Sequence, residues 1–389
     1  MKESDFFRVC ADVDLSAVRT NIINIQKRLK PSVKTCCVIK ADGYGHGAVP
    51  VARAVDDLAD FFAVAAITEA LNLRAHGVEK PVLILGYIHP DGYEAAIEGN
   101  IRTTVFDFEA AQAVSKAAVR VKKTAKIHIK IDTGMSRIGF YPCPESAEII
   151  KKISRLPGIE IEGIFTHLFA ADAAGKESAL AQIGIFNDFC ALLEENSLSI
   201  PIKHCSNSAA AISIKQANLD MVRLGIAQYG LYPSEDVHEL CLVPALSLKS
   251  HVVMVKTIKT GTTVGYGATY TAARDIRVAT IPVGYADGYF RTLSNRGYVL
   301  AGGKRAPIIG RVCMDQFMVD VSRIEGVVQG SEVVLIGSMG DETITMEEIS
   351  ALAGSFNYEF ACDIGKRVPR RYFLDGKFTG SKDYFMDKY

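Results

Sequence analysis

The chain lacks an imbalance of charge. Its 389 residues include 44 lysines and arginines and 44 aspartates and glutamates, so the formal net charge at pH 7 is zero. Proteins whose main partner is nucleic acid or an anionic membrane usually carry an excess of basic residues. The composition therefore argues against both kinds of partner.

Long apolar runs are absent as well. No run approaches the roughly 18 apolar residues that span a bilayer. The first residues, Met1–Asp5, lack the apolar core of a signal peptide. We therefore expect neither membrane insertion nor export, and we expect a cytoplasmic location.

The cysteines follow neither a metal-binding nor a disulfide pattern. There are nine, an odd number, and no two of them are separated by two residues. Cys36 and Cys37 are adjacent within an apolar run. This pattern argues against zinc and against a disulfide framework, and it predicts small buried thiols in a reducing compartment.

The length and the pattern of apolar runs indicate two domains. Between residue 35 and about residue 230, helical stretches such as Ile67–His76, Glu109–Ala118 and Pro144–Arg155 alternate with strand-like runs. The eight strand-like runs are Thr35–Lys40, Phe62–Ala66, Val82–Leu85, Thr103–Phe106, Ile127–Ile131, Ile159–Thr166, Ile202–Cys205 and Met221–Leu224. Eight such units, with no GxGxxG after the first strand, favour a closed parallel (β/α)8 barrel of the TIM type over an open doubly wound sheet. We assign residues 1–240 to this α/β barrel.

The pattern changes after about residue 240. Short alternating runs separated by glycine follow, and they predict strands at Leu246–Val255, Ile276–Pro282, Ala306–Val312, Met318–Val321 and Glu332–Ile336. One helical stretch, Met346–Ala353, interrupts them. Residues 241–389 therefore read as a mainly β C-terminal domain.

The most informative segment is Val38-Ile39-Lys40-Ala41-Asp42-Gly43-Tyr44-Gly45-His46-Gly47. A buried strand that ends at a lysine must neutralise the amine or use it covalently, unless the side chain reaches solvent. The glycines allow the backbone to turn tightly and to approach a ligand. The segment predicts a lysine that forms a Schiff base with a phosphate-bearing cofactor.

In a (β/α)8 barrel the chemistry lies at the carboxyl ends of the strands. Lys40 lies at such an end, and four other polar segments do so as well: Asp132–Arg137, His167, Ser206–Ser208 and Arg223–Gly225. The predicted fold brings these distant segments onto one face.

Seven segments, in one order along the chain, resemble those of the alanine racemases. They are the Lys40 segment, Lys130–Gly139, Asn207–Ser208, Arg223–Ile226, Val264–Tyr270, Gly284–Gly288 and Gly310–Gln316. The resemblance covers nearly the whole length. It implies a racemase dependent on pyridoxal 5′-phosphate (PLP) that interconverts L- and D-alanine in a homodimer with shared active sites, whether for cell-wall synthesis or for D-amino-acid catabolism.

The resemblance implies two catalytic bases, because racemisation removes a proton from one face of the substrate Cα and returns it on the other. Lys40 would carry PLP and act as one base, with its pKa lowered by burial. Tyr266, supplied by the partner subunit, would be the other. His167 and Arg223 could form the chain that lowers the pKa of this phenol.

The same resemblance assigns the contacts to the cofactor. Arg223 would face the pyridine nitrogen and leave it unprotonated, because a guanidinium is a poor proton donor. This would limit carbanion accumulation and suppress transamination. The residues that match the phosphate-binding group are Tyr44, Asn207, Ser208, Gly225 and Ile226.

Substrate contacts are implied for a further group. Arg137 matches the arginine that binds the substrate carboxylate, and Lys130 matches a lysine that is carbamylated in some members and fixes that arginine. Met314 would contribute its backbone N–H, with Asp315 beside it. The residues that match the substrate channel are Asp172, Tyr285, Arg291 and Arg311.

One position departs from the family pattern. Many members carry a tyrosine directly before Arg-Val-Pro-Arg, where this chain has Lys366. This makes Lys366 a candidate determinant of specificity and keeps open a racemase for serine or for a broader set of small amino acids. Two further alternatives are a PLP-dependent decarboxylase, disfavoured by Arg223 and Tyr266, and a PLP-binding homeostasis protein, disfavoured by residues 241–389.

Overall fold

The computed structural model describes residues 8–386. Met1–Asp5, where no signal peptide is predicted, lie outside the described residues. Across the described part, none of the helices combines the length and the apolar character needed to cross a membrane. Contacts divide the chain into two compact units.

The first unit comprises Val18–Gly43 and Ala48–Val243 and contains eight parallel strands. In chain order these are Lys34–Val38, Phe61–Val64, Val82–Ile84, Ile101–Val105, Ala125–Lys130, Ile159–Phe165, Ile202–His204 and Met221–Leu224. Each of the first six pairs in parallel with the next, and Lys34–Val38 also pairs with Met221–Leu224. The prediction of a (β/α)8 barrel is confirmed.

The barrel is nearly closed between Ile202–His204 and Met221–Leu224. The backbone N–H of Asp220 donates to the carbonyl of Lys203 at 3.1 Å, and that of Arg223 donates to the carbonyl of Ser206 at 3.2 Å. These two bonds connect the ends of the sheet at the place where polar segments follow the strands.

The barrel helices form where apolar residues recur at helical spacing. In Phe108–Val121 the buried positions include Ala111, Val114 and Ala118, and Asp107 caps the helix by accepting from Ala110 N at 2.6 Å. The predicted helical stretches 67–76, 109–118 and 144–155 correspond to the helices Ile67–Ala75, Phe108–Val121 and Pro144–Ile153. The unit also contains the helices Ala48–Ala54, Tyr93–Glu98, Glu177–Glu195 and Ser208–Ser213. Short 3-10 turns occupy Pro90–Gly92, Lys215–Ala217 and Ile226–Tyr229, and the helix Leu15–Gln26 leads into the unit.

The second unit comprises the described residues up to Ala17, Tyr44–Gly47 and the described residues from Pro244 onward. Its strands are Val9–Asp14, Leu246–His251, Met254–Ile258, Thr263–Val264, Tyr270–Thr271, Ile276–Ile281, Tyr298–Ala301, Lys304–Ile309, Phe317–Asp320, Glu332–Met339, Glu342–Ile344, Arg370–Leu374 and Lys377–Lys382. Eleven of these strands form one sheet, and the predicted mainly β character is confirmed.

The first strand of the chain belongs to this second sheet. Val9–Asp14 pairs antiparallel with Leu246–His251 and parallel with Arg370–Leu374. The division in space therefore does not follow a single cut in the sequence.

The second unit differs from the sequence prediction in several details, and strands such as Tyr298–Ala301 and Arg370–Leu374 lie outside the predicted runs. The run Leu246–Val255 contains two strands, because Val252 N bonds to Ser331 and Val253 N bonds to Thr280, so the backbone changes neighbours there. A second helix, Asn357–Asp363, follows the predicted Met346–Ala353. It buries only Asn357, Phe360 and Ala361, too short a repeat to stand out in the sequence.

Candidate active site

Lys40 lies just beyond the carboxyl end of its barrel strand. The strand ends at Val38, and Ile39 N–H still donates to the carbonyl of Ala63 at 2.8 Å. The Val38 carbonyl accepts from Gln228 Nε2 at 2.7 Å and from the Tyr229 hydroxyl at 3.2 Å. The backbone that leads to Lys40 is therefore held on both sides.

The residues after Lys40 form a left-handed turn. Ala41, Asp42 and Gly43 have φ values of 52°, 50° and 65° and ψ values of 47°, 50° and 42°. Gly43 N–H donates to the carbonyl of Ile39 at 2.9 Å and closes the turn. Because residues with a Cβ lose about 1–2 kcal/mol each in this conformation, other contacts must stabilise Ala41 and Asp42.

Arg223 is a buried cation at the same end of the barrel, with 4% of its surface exposed. Its guanidinium donates to the carbonyls of Thr166, Cys205 and His204 at 2.9, 3.0 and 3.2 Å. It also contacts the Nδ1 atoms of His204 at 2.9 Å and of His167 at 3.5 Å. Within residues 8–386 no carboxylate forms an ion pair with it, and burial lowers the pKa of Arg223 to about 10.

A buried polar chain inside the barrel, which no sequence motif predicted, leads to Arg223. His204 Nε2 lies 2.9 Å from His128 Nδ1, and His128 Nε2 lies 3.2 Å from Glu162. Glu162 accepts two bonds from Arg102, at 2.9 and 3.1 Å. Burial lowers the pKa of both histidines, so both rings are neutral near pH 7.

Burial and hydrogen bonding act on the pKa of Glu162 in opposite directions. Burial alone would raise this pKa, but the hydrogen bonds from His128 and Arg102 lower it below its ordinary value. The carboxylate is therefore ionised at the far end of the chain from Arg223. No group of three or more His, Cys, Asp and Glu side chains in residues 8–386 is placed to bind a metal ion.

His167 lies in a strongly positive environment. Burial first, and then the charges of Arg223, Arg137, Lys130 and Lys40, together lower the pKa of His167 to about 3. The barrel thus brings together five of the predicted residues at one end. A group of cations with a neutral imidazole among them favours an anionic ligand.

Lys130 is the last residue of the barrel strand Ala125–Lys130, and Arg137 lies in the loop that follows this strand. Lys130 is 2% exposed and donates to the carbonyl of Ile131 at 2.7 Å. Burial, and next the charge of Arg223, lower the pKa of Lys130 to about 8. The Asp132 carboxylate accepts from the backbone N–H groups of Gly134, Ser136 and Arg137 at 2.9, 3.0 and 3.2 Å and so shapes the loop that carries Arg137.

A second polar group connects two other strand ends. The Ser208 hydroxyl accepts from Gly225 N–H at 2.9 Å and from Ala227 N–H at 3.4 Å. Asn207 begins the helix Ser208–Ser213 and accepts from Ala210 N at 3.0 Å. Ile226, the first residue of the turn Ile226–Tyr229, is buried. A hydroxyl and several backbone N–H groups here form a donor set suited to phosphate.

The remaining predicted residues lie in the second unit. Tyr266 is 71% exposed and lies between Gly265 and Gly267, both with a φ of 72°. A Cβ at Gly267 would lie 3.4 Å from the Arg311 guanidinium carbon, so this turn lies against Arg311.

Tyr285, Met314 and Asp315 lie together in the second unit. Tyr285 N–H donates to the carbonyl of Cys313 at 3.1 Å, and Ala286 N–H donates to that of Met314 at 3.0 Å. Asp315 forms an ion pair of 2.8 Å with Arg367, the neighbour of the exposed Lys366.

Tyr44 also belongs to the second unit. Its side chain is buried, its ring centroid lies 6.2 Å from that of Tyr358, and burial raises the pKa of its hydroxyl. The hydroxyl is therefore protonated at neutral pH and can donate a hydrogen bond.

Two family models match the chain. That of the alanine racemase N-terminal domain matches residues 13–233, and that of the alanine racemase C-terminal domain matches residues 245–372. An alanine racemase from Methanococcus maripaludis is 45% identical over 367 residues, which cover 94% of this chain and 98% of the relative. One from Desulforamulus reducens is 44% identical with the same coverage.

Solved structures show the same similarity. Alanine racemase from Clostridium difficile superposes with a TM-score of 0.94 at 38% identity, covering 98% of this chain and all of that one. The enzyme from Bacillus anthracis, solved with bound L-Ala-P, superposes with a TM-score of 0.91 at 35% identity, covering 98% of this chain and 99% of the other.

Proposed function

Since this chain belongs to the alanine racemase family and is an amino-acid isomerase, we propose that it interconverts L- and D-alanine with PLP attached to Lys40. The observation that carries the proposal is the group of residues at the carboxyl end of one barrel. There Lys40, Arg223 and His167 converge, with no carboxylate paired to Arg223 among the described residues.

The residues present fit PLP, an aromatic aldehyde that carries a phosphate. Lys40 supplies the amine, and Ser208 with the N–H groups of Gly225 and Ile226, assisted by Asn207 and Tyr44, would bind the phosphate. Arg223 would face the ring nitrogen as a permanent cation that is a poor proton donor. When bound, PLP supplies an electron-accepting ring that makes the substrate Cα–H acidic.

Two residues of the chain move the proton. Lys40 removes or returns it on one face of the substrate Cα, and the partner subunit's Tyr266 does so on the other. The exposure of Tyr266 supports this sharing between subunits. The same region has a cleft of about 490 Å³, lined by apolar side chains such as Val253, Met254 and Met318 and by polar ones such as Lys256, Thr263 and Gln316.

The substrate carboxylate is held by Arg137 and by the backbone N–H of Met314, with Tyr285 and Asp315 beside them. A planar guanidinium matches a carboxylate with two parallel hydrogen bonds. The bonds that join the Tyr285 and Met314 loops, and the ion pair of Asp315 with Arg367, support a fixed position for this group.

Lys130 is carbamylated in the proposed enzyme. A pKa of about 8 leaves part of the amine neutral near pH 7, and this form adds CO2 and releases one proton. The resulting anion would pair with Arg137. We expect a bound carbamate signal in ¹³C NMR after exposure to ¹³C-bicarbonate, and no such signal in Lys130→Arg; a signal that persists in Lys130→Arg would contradict the assignment.

The activity is tested by chiral analysis of the products from L-alanine and, separately, from L-serine with PLP-loaded protein. We expect rapid formation of D-alanine, and at least about a 1,000-fold loss in Lys40→Ala. Release of CO2 without racemisation would favour a decarboxylase, and the absence of any turnover would favour a PLP-binding protein.

The serine reaction tests the role of Lys366. This exposed lysine takes the place of the family's tyrosine and adjoins the Arg367–Asp315 ion pair. If D-serine forms as fast as D-alanine in the wild type, and Lys366→Tyr selectively suppresses D-serine, Lys366 sets specificity. Little D-serine in both proteins would make Lys366 a neutral replacement.

A further inference from the structure

The left-handed turn after Lys40 has a specific hydrogen-bond acceptor. The Glu69 carboxylate accepts from Ala41 N–H at 2.6 Å through Oε1. Through Oε2 it accepts from Ala65 N–H at 2.8 Å and from Ala66 N–H at 3.0 Å. One side chain therefore connects the turn after Lys40 to the end of the neighbouring strand Phe61–Val64.

Half of this arrangement is an ordinary helix cap. Glu69 is the third residue of the helix Ile67–Ala75, and a carboxylate at that position commonly bonds the N–H of the capping residue, here Ala66. The bond to Ala41 serves no capping purpose, since Ala41 belongs to a different strand–helix connection. Asp107 provides the contrast, because its described bond goes only to the start of its own helix, at Ala110.

The bond to Ala41 acts on a backbone that needs support. Ala41 and Asp42 both carry a Cβ and both have φ near 50°, a conformation that alanine rarely adopts. Lys40 immediately precedes them, so a change at Ala41 would rotate the peptide that sets where the Lys40 side chain points. Asp42 supports the other side of the turn by accepting from Ala48 N–H at 2.8 Å.

We propose that Glu69 is a positioning residue that fixes the direction of Lys40 by holding the N–H of Ala41 in the left-handed turn. The inference rests on the proposed function only in taking Lys40 as the lysine that binds PLP. It gives Glu69, which the family resemblance did not single out in the sequence, a role in the reactivity of Lys40.

The test measures how fast apoprotein captures PLP, followed by visible absorbance. In that reaction the Lys40 nitrogen forms a C=N bond with the aldehyde carbon, and the aldehyde oxygen leaves as water. A hydrogen bond to a charged acceptor has a net value that converts to roughly tenfold or more in rate. We expect Glu69→Ala to slow capture by at least about tenfold, and Glu69→Gln to slow it less.

Asp107→Ala is the matched control, because it removes a helix cap of the same barrel away from Lys40. We expect it to destabilise the protein about as much as Glu69→Ala while leaving the capture rate within about twofold, since the turn is untouched. Ala41→Gly added to Glu69→Ala should restore part of the rate, because glycine adopts the left-handed conformation freely.

Amide hydrogen exchange gives a readout that does not involve PLP. The N–H of Ala41 should exchange faster in Glu69→Ala and Glu69→Gln than in wild-type apoprotein, and at the wild-type rate in Asp107→Ala. Unchanged capture and exchange in folded Glu69→Gln would overturn the role of Glu69, as would equal slowing in Asp107→Ala. If the wild type fails to attach PLP at Lys40, as read by borohydride reduction and peptide mass, the proposed function itself fails.

Discussion

The guanidinium of Arg223 donates to three carbonyl oxygens and contacts two imidazole rings inside the barrel. Carbonyl oxygens and neutral rings satisfy its N–H groups without cancelling its charge. A carboxylate at this place would neutralise the charge of Arg223. It could also keep the ring nitrogen of a bound PLP protonated. In the proposed function, a cationic Arg223 without a carboxylate partner favours racemisation over decarboxylation.

The buried histidines predict acid sensitivity. His128, His167 and His204 all have folded-state pKa values below the ordinary 6.5, and that of His167 falls to about 3. Below about pH 6.5 the unfolded chain binds protons that the folded chain does not, so the free energy of unfolding falls as pH falls. Each group contributes up to about 1.4 kcal/mol per pH unit.

Urea unfolding of apoprotein between pH 7.5 and pH 5 measures this effect, in a range above the titration of most carboxylates. We expect the midpoint to decrease steadily below about pH 6.5, and His167→Asn to reduce the slope. His89→Asn, which changes an exposed histidine, should leave the slope unchanged. A midpoint that is constant across this range would contradict the burial of the three neutral rings.

At the scale of the element, two neighbouring barrel strands carry the polar chain. The register between Ala125–Lys130 and Ile159–Phe165 shifts after Ile127, so Ile127 pairs with Ile161 and His128 pairs with Gly163. Glu162 is thus the extra residue of a bulge. Because a bulge redirects a side chain, it allows Glu162 to reach Arg102 and His128.

Gly163 leaves the space that His128 occupies. A Cβ at Gly163 would lie 2.4 Å from His128 Nδ1. We expect Gly163→Ala to displace the ring, to break its bond with His204 and to lower the free energy of unfolding by about 1–3 kcal/mol. Racemase activity should fall as well, because His204 contacts Arg223.

Gly184→Ala provides the control for the Gly163 substitution. Gly184 lies in the helix Glu177–Glu195, and a Cβ there meets nothing within 4 Å. This change should raise stability by roughly 0.5–1 kcal/mol. Thermal unfolding of both variants measures these changes in stability. If Gly163→Ala is as stable as the wild type, the prediction is wrong and the barrel core can rearrange around His128.

The sequence predicted the elements better than it predicted this interior. Eight strand-like runs could be read because parallel strands buried on both faces are continuously apolar. The alternating polar residues Lys126, His128 and Lys130 gave a signal that a polar barrel interior was present, but their partners depend on a bulge. The same limit applies to Val9–Asp14, whose neighbours in the sheet lie more than 200 residues away in the chain.

At the scale of the whole molecule, the proposed catalytic groups divide between the two units. Lys40, His167 and Arg223 belong to the barrel, whereas Tyr266 and Met314 belong to the second unit. Neither unit carries a complete set. In the proposed function, the groups of the second unit come from a partner subunit.

Mixed dimers test that sharing. Lys40→Ala and Tyr266→Phe subunits should each be nearly inactive alone. If sites are shared, a mixed dimer contains one intact site, so random exchange of equal amounts should restore about a quarter of wild-type activity. Activity of purified mixtures after subunit exchange is the measurement. Recovery of none, despite mixed dimers detected by affinity tags, would place both bases in one subunit.

The strand Val9–Asp14 has a consequence for synthesis on the ribosome. It is the first described strand to be translated, yet its two neighbours begin at Leu246 and Arg370. The strands of the barrel are all translated before either neighbour exists, so the first strand must wait without its sheet while most of the chain is made. We therefore expect its unpaired backbone edges to be open to other chains and to chaperones during translation, and slower elongation between residues 246 and 370 to lengthen that exposure.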